Sequence, residues 1–399
     1  MPSPRPDQDR IEVLASALDR AFGLPDDPAP LEIARAPGRV SLMGDHMEYN
    51  EGLALTAAID LDTWIALRRR DDGIVRMVSR HSRDAGTFRI GSLRPGVEGR
   101  RRSWSNYVAG TAWSLREAAI PIAGFDGVVE TALPIGGGLG SSAALELAAA
   151  FALIGRNRFL SPPALAAIAQ RAERDYLDID AGLLEQLACA AGREGRALMV
   201  DCRTLETRQV AMPFGVRVVV CDTGEPRDPN LSLLATRRAE CARAVALLAE
   251  KLPGLSSLRD LDEASLRRHR VRLPEHLAAR AEYVVSENAR VVATAAALET
   301  GDLDGLCRVF AESHASLRDR YEVGSPALDA MVAVARAVPG VIASRTMAVG
   351  LGGCTVNLVL ADAVPALSSA AGREYETLTG LRSRVYAVEV VDGAGLLKP

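Results

Sequence analysis

No apolar stretch of this sequence reaches the roughly 18–20 residues that a bilayer-spanning helix needs, which argues against a membrane protein of that kind. The N-terminus sets Arg5, Asp7, Asp9 and Arg10 close together and lacks the apolar run of a signal peptide. Six cysteines (Cys189, Cys202, Cys221, Cys241, Cys307, Cys354) stand without CxxC spacing, so neither a zinc site nor a disulfide framework is indicated. Reduced thiols in a cytoplasmic protein are the simplest account. A basic excess is missing too. With 47 Lys and Arg against 51 Asp and Glu, the net charge is −4, which argues against a nucleic-acid footprint. The local runs Arg68-Arg69-Arg70 and Arg100-Arg101-Arg102 read as solvated faces. There is no internal repeat and no long linker. What is present is 399 residues at 48% hydrophobic content, enough for a large core and two lobes, 1–210 and 211–399, divided near residues 205–215.

Strands and helices intermix without a regular βαβ cadence, so the class is α+β. Residues 1–8, rich in proline and charge, read as disordered, and Ile11, Leu14, Leu18 and Phe22 predict a helix from Asp9 to Phe22. A short strand is expected around Leu31–Ala34, then strands within 53–92, a helix from Trp104 through Leu115, and a strand over Phe125–Thr131. Helices follow over Ser142–Leu153 and from a Ser161-Pro162 start to about Tyr176. Buried strands are expected at Ala197–Asp201 and Val216–Cys221. The C-terminal half reads as helices over Leu231–Lys251, Glu275–Glu299, Leu303–Leu317, Pro326–Val338 and Pro365–Leu378, with strands near Val341–Ser344, Thr355–Leu360 and Arg384–Val391.

Between the strand ending at Thr131 and the helix from Ser142 lies Leu133-Pro134-Ile135-Gly136-Gly137-Gly138-Leu139-Gly140-Ser141-Ser142-Ala143. Its glycines permit close backbone approaches, and its serines stand where the first helical N–H groups lack partners and the helix dipole favours an anion. A phosphate is the natural guest of Gly136 through Ala143. Taken alone the stretch is equally an ordinary loop and N-cap. It carries no Lys-Ser or Lys-Thr pair of a Walker A loop and does not fit GxGxxG.

A second dense stretch, Pro37-Gly38-Arg39-Val40-Ser41-Leu42-Met43-Gly44-Asp45-His46-Met47-Glu48-Tyr49-Asn50, gathers an Arg, a His and two acids beside two glycines. Asp45, His46 and Glu48 suit a polyhydroxylated ligand, because carboxylates accept from hydroxyls and His can donate or accept. A third stretch, Asp178-Ile179-Asp180-Ala181-Gly182-Leu183-Leu184-Glu185-Gln186, opens a short helix. Phosphoryl transfer needs charge neutralisation and a carboxylate to orient or deprotonate the accepting hydroxyl, tasks for which Arg39 and Glu185 are the candidates. A hydroxyl at the start of the helix can ligate magnesium, and Glu173 is a candidate second ligand or a solvated acid near a helix end.

The three stretches, in this order and at these separations, resemble the galactokinase branch of the GHMP kinases, whose first motif is similar to Pro-Gly-Arg-Val-Asn-Leu-Ile-Gly-Glu-His-Thr-Asp-Tyr-Asn. Gly140 of the glycine loop, where galactokinases often have serine, is the form seen in mevalonate kinases. Weaker echoes at Trp104-Ser105-Asn106-Tyr107-Val108, Asp201-Cys202-Arg203, Arg237-Arg238-Ala239-Glu240-Cys241 and Gly350-Leu351-Gly352-Gly353-Cys354-Thr355 extend the likeness along the chain. The resemblance implies a two-lobed kinase with ATP in a cleft and Mg2+, phosphorylating the anomeric hydroxyl of galactose or a related sugar. It implies Arg39 and Glu185 as the catalytic pair, Ser142 and Glu173 near magnesium, and Gly182 near the sugar. Trp104 lies against the adenine on that reading, or in the core. A monomer or weak homodimer is expected, with no nucleic-acid or membrane partner.

The departures fall on the acceptor side. The usual Glu-His-Thr-Asp is Asp45-His46-Met47-Glu48, the usual Gly-Ile-Met-Asp-Gln is Gly182-Leu183-Leu184-Glu185-Gln186, and the tyrosine before Arg-Arg-x-x-Cys is Leu234. The usual Met-Thr-Gly-x-Gly-Phe-Gly-Gly-Cys is Thr346-Met347-Ala348-Val349-Gly350-Leu351-Gly352-Gly353-Cys354. Each acid keeps its charge and moves it by about one methylene, and a misplacement of about 1 Å can cost on the order of 10²-fold in rate. An active kinase with a re-shaped acceptor pocket is the reading, because a carboxylate persists at all three positions. The alternative is a sugar- and nucleotide-binding sensor that no longer transfers phosphate.

Overall fold

The fold is described from a computed structural model covering residues 7–24, 28–96, 103–156, 159–226, 232–347 and 353–397. The expectations for residues 1–6, for Arg100-Arg101-Arg102 and for glycines 350 and 352 lie outside those residues. Contacts group the chain into two compact units: residues 1–39, 58–192 and 392–399, and residues 40–57 and 193–391. This grouping is discontinuous in sequence, unlike the expected single cut near residue 210, because the strands Glu32–Met43 and Leu53–Arg70 each begin in one unit and end in the other.

The first unit is a mixed sheet with helices. Strand order is Gly395–Leu397, Glu32–Met43, Leu53–Arg70, Gly124–Thr131, Ile74–Ser79, Ala85–Arg89. Ile74–Ser79 and Gly124–Thr131 run parallel, whereas Gly395–Leu397 with Glu32–Met43, Leu53–Arg70 with Gly124–Thr131, and Ile74–Ser79 with Ala85–Arg89 are antiparallel. The helix Asp7–Phe22 begins two residues earlier than its apolar periodicity predicts and buries Leu14 and Leu18 against Ile33, Trp64, Ala66 and Val128. The helices Ser105–Glu117, Ser141–Ile154, Pro162–Arg171 and Leu184–Ala191 pack on one another. Alanine-rich faces let them approach closely: Ala143, Ala144, Ala148 and Ala152 are wholly buried. Ser161 occupies the expected N-cap, but its side chain makes no capping bond there.

The second unit holds a four-stranded antiparallel sheet, Arg384–Val388, Val216–Asp222, Cys354–Leu360, Val341–Met347. The helices Pro326–Ala337 and Val364–Thr379 cover one part of it around Met331, Leu367 and Tyr375. A second core, around Met47, Leu248, Tyr283, Val284 and Tyr321, is built by the helices Ser232–Ala249, Glu263–His269 and Glu275–Thr300. In this unit Leu53–Thr56 pairs with Arg196–Asp201, which pairs with Thr207–Ala211.

Two differences from the sequence expectation matter for function. The strand expected at Leu31–Ala34 continues to Met43, so half of the Pro37–Asn50 motif is extended chain rather than loop. Pro37 is tolerated there because Gly395–Leu397 pairs only with Ile33, Ala34 and Arg35, leaving no ladder on that side that needs its missing N–H. The strands Thr207–Ala211 and Gly395–Leu397 and the helix Glu263–His269 were not expected; each is short, and Thr207–Ala211 buries only Val210. Among the described residues, no helix is long and apolar enough to cross a membrane.

Candidate active site

In the first unit the glycine loop is closed by its own backbone. Gly137 N–H donates to Pro134 C=O at 3.0 Å, and Gly140, at φ +77°, is the residue before the helix Ser141–Ile154. No side chain caps that helix, so Ser141 and Ser142 do not take the capping role that their position suggested. A Cβ on Gly38 would lie 2.3 Å from Leu133 Cδ2 and 2.7 Å from Leu139 O. Glycine therefore lets the strand lie directly against the loop, where Arg39 N–H donates to Leu139 C=O at 2.8 Å.

That approach delivers Arg39. Its side chain is 6% exposed; Nη1 donates to Gly138 C=O at 2.7 Å, and Nη2 forms an ion pair with Glu185 Oε1. Glu185, 38% exposed, sits in the first turn of the helix Leu184–Ala191, and Gly182 is half-buried just before it. The sequence-predicted pair is thus in contact, and it rests on the carbonyl of a loop glycine.

Behind it lies an acid cluster. Glu173 falls within a π-helical turn, Ala172–Tyr176, a local irregularity often found at functional sites. Gln186 Nε2 donates to Glu173 Oε2 at 2.8 Å, and the Ser142 hydroxyl is also a hydrogen-bond partner of Glu173. Burial pushes the Glu173 carboxyl up to about 7, against those two hydrogen bonds and with the Glu185 charge adding to the rise. Glu146, one turn beyond Ser142, has no exposed surface; burial above all, and then the Glu173 charge, holds its pKa well above the carboxylate range, against a hydrogen bond with Gln186. Sequence reading passed over Glu146 and Gln186. The signal for Glu146 was available: one acid in an otherwise apolar, alanine-rich helix. Trp104 immediately precedes the helix Ser105–Glu117 and donates its indole N–H to Asp84 C=O at 3.2 Å.

In the second unit the motif turns sharply after Met43. Gly44 has φ +92°, and a Cβ there would meet Leu53 O at 2.6 Å. Asp45 is buried; its Oδ2 pairs with Arg345 and accepts from Ser41 Oγ at 3.3 Å. Arg345 also donates to Leu42 C=O at 2.9 Å. This arginine was not anticipated, although a lone cation in the apolar strand Val341–Met347 is a legible signal. His46, at φ +63°, lies 3.0 Å from Tyr49 Oη through Nδ1, and Tyr49 Oη lies 2.8 Å from Tyr321 Oη. The His46 and Tyr321 rings are 5.0 Å apart. Met47 is wholly buried in the helical core, whereas Glu48, in the single turn Glu48–Asn50, stays half-buried. Leu234 lies half-buried on the helix Ser232–Ala249.

Comparison with known proteins identifies the family. The family model described as the galactokinase galactose-binding signature matches residues 17–69, and the GHMP kinases N terminal domain matches residues 106–193. A galactokinase from Roseiflexus sp. (strain RS-1) is 41% identical over 367 residues, 92% of this chain and 93% of that protein. One from Chloroflexus aurantiacus (strain ATCC 29366 / DSM 635 / J-10-fl) is 40% identical over 371 residues, 93% of each. The crystal structure of Lactococcus lactis galactokinase complexed with galactose matches with a TM-score of 0.87 at 29% identity, over 97% of this chain and 99% of that one. The Methanococcus jannaschii mevalonate kinase, at TM-score 0.65 and 16% identity over 92% of this chain and all of its own, shares the fold. With the GHMP kinase fold and two-fifths identity to galactokinases over more than nine-tenths of their length, the chain belongs to the galactokinase family.

Proposed function

We propose that this protein is an ATP-dependent kinase that phosphorylates the anomeric C1 hydroxyl of galactose. The observation that carries the reading is the Arg39–Glu185 ion pair set against the Gly138 carbonyl of the glycine loop. Glu185 takes the proton of the accepting hydroxyl as the sugar oxygen bonds to the γ-phosphorus, and the bond to the β,γ-bridging oxygen breaks, leaving ADP. Arg39 orients that carboxylate and offsets charge on the transferring group. The loop Gly136, Gly137, Gly138, Leu139, Gly140, Ser141, Ser142 and Ala143 receives the phosphates, and Trp104 is the candidate neighbour of the base. His46, Glu48 and Gly182 are the candidate contacts of the sugar hydroxyls. Asp45 shares its carboxylate with Arg345, so its part in sugar binding is confined to what that ion pair leaves accessible.

Ser142 and Glu173 suit Mg2+, a hard cation that takes one or two protein oxygens together with phosphates and water. Their oxygens already meet, and among the described residues no group of three or more His, Cys, Asp and Glu forms a fuller metal cage. Bound magnesium would supply charge neutralisation on the phosphates. With this reading go the expectations of a cytoplasmic monomer or weak homodimer and of no nucleic-acid or membrane partner. The deciding experiment is an ADP-release screen over galactose, other hexoses, pentoses and uronic acids, with 31P NMR of the product. Turnover of galactose to an anomeric phosphate is expected. ATP binding without turnover of any sugar would replace the kinase with the binding-only sensor.

A further inference from the structure

The turn that presents Asp45, His46 and Glu48 is held by one helix. Along Glu275–Thr300, Tyr283 and Glu287 are four residues apart and share a face, with Asn288 beside them. Tyr283 Oη donates to the Asp45 carbonyl at 2.7 Å. Glu287 Oε1 accepts the Gly44 N–H at 3.1 Å, and Asn288 Oδ1 accepts the Leu53 N–H at 2.8 Å. Three side chains thus bind backbone groups at both ends of residues 44–53. Glu287 is itself fixed: Arg290 Nε donates to Oε2 at 2.6 Å, and Ser313 Oγ lies 3.0 and 3.1 Å from its two oxygens. Tyr283 and Glu287 are wholly buried.

The held segment contains a conformation that needs holding. His46 has φ +63°, a left-handed backbone that is uncommon for residues with a Cβ, although His visits it more readily than most. The peptide entering it belongs to Asp45, gripped at its carbonyl by Tyr283 and at its carboxylate by Arg345.

We propose that Tyr283, Glu287 and Asn288 are positioning residues for the sugar, a clamp that sets the angle at which His46 and Glu48 meet the acceptor while touching no reacting atom. The inference rests on the assignment of residues 45–48 to sugar binding under the proposed function. A displacement of about 1 Å at a positioning group can cost on the order of 10²-fold. The clamp should therefore act on the sugar and leave the nucleotide untouched.

The test is steady-state kinetics with both substrates varied. Tyr283→Phe keeps the ring that stacks 4.2 Å from Tyr321 and deletes only the hydroxyl. Asn288→Ala deletes the Leu53 acceptor, and Asn288→Asp keeps an oxygen in its place. Tyr283→Phe and Asn288→Ala are expected to raise the galactose KM roughly tenfold or more at unchanged ATP KM, with Asn288→Asp restoring most of the loss. Faster exchange of the Leu53 amide in Asn288→Ala, reversed in Asn288→Asp, would report the same bond. Galactose and ATP KM rising together, or neither moving, would overturn the clamp. A wild type with no galactose turnover would instead defeat the proposed function, and galactose affinity by calorimetry would then decide the clamp through the same variants.

Discussion

The guanidinium of Arg39 joins the Glu185 carboxylate to the Gly138 carbonyl, one nitrogen to each. The planar fork makes both bonds at fixed geometry, which a lysine ammonium cannot reproduce. Arg39→Lys and Glu185→Gln should therefore both lower kcat, by about 10²–10⁴-fold for the loss of a general base. For Glu185→Gln, ATP affinity measured with a fluorescent analogue should stay within about twofold, since the glycine loop remains intact. Turnover that survives Glu185→Gln would remove Glu185 from the base role.

Gly38 tests how closely the strand must approach the loop. Its conformation is not left-handed, so the demand is for space alone: a methyl would overlap Leu133 Cδ2 and the Leu139 carbonyl. Gly38→Ala should push strand and loop apart and break the Arg39 N–H bond to Leu139. The expected result is an ATP KM raised about tenfold or more, a lower kcat and a lower Tm, because over-packing of this kind costs typically about 1–3 kcal/mol. Wild-type kinetics in Gly38→Ala would show that the loop can shift freely.

Much of this is legible in the sequence. Long helices announced themselves by apolar spacing, and the Arg39–Glu185 pair by the chemistry that phosphoryl transfer requires. The residues that fix the second unit's motif were not legible. Arg345, Tyr283 and Glu287 stand some 240 to 300 positions away from Asp45 and Gly44, and their significance comes from tertiary contacts that no local pattern encodes. The strand expected to end near Ala34 runs on through Pro37-Gly38 to Met43, because the neighbouring ladder ends at Arg35 and makes no demand on the missing N–H of Pro37. Glu173 was singled out by position, but its π-helical turn has no sequence signature.

Glu146 is a wholly buried acid, and burial first, then the nearby Glu173 charge, raises its pKa well above that of an exposed glutamate, with a Gln186 hydrogen bond opposing. An acid whose folded pKa is raised stabilises the fold fully below the unfolded pKa, about 4.5 here. That contribution is lost as pH climbs toward the folded value. Glu146→Gln keeps the shape and cannot ionise. Chemical denaturation between pH 5 and 9 should show the variant gaining on the wild type as pH rises. Parallel curves would mean that Glu146 is ionised in the fold and compensated there.

His314 should govern the opposite end of the pH range. It is 5% exposed, and its pKa is lowered from 6.5 to about 4 by burial first, then by Arg336, Arg318 and Arg345, with Asp319 opposing. Asp329 lies 3.3 Å from its Nε2, but that contact does not offset the burial. A base whose folded pKa is depressed contributes stability above its unfolded pKa and loses it as pH falls. The loss should run from about pH 6.5 down through about pH 4. At about 1.4 kcal/mol per unit, the full loss is on the order of 3 kcal/mol. His314→Gln places an uncharged amide in the same site and should flatten that part of the stability curve while costing some stability at pH 8. Urea midpoints at pH 8, 6.5, 5.5 and 4.5 for both proteins would measure it. An equal slope in the variant would show that the acid sensitivity arises in other groups.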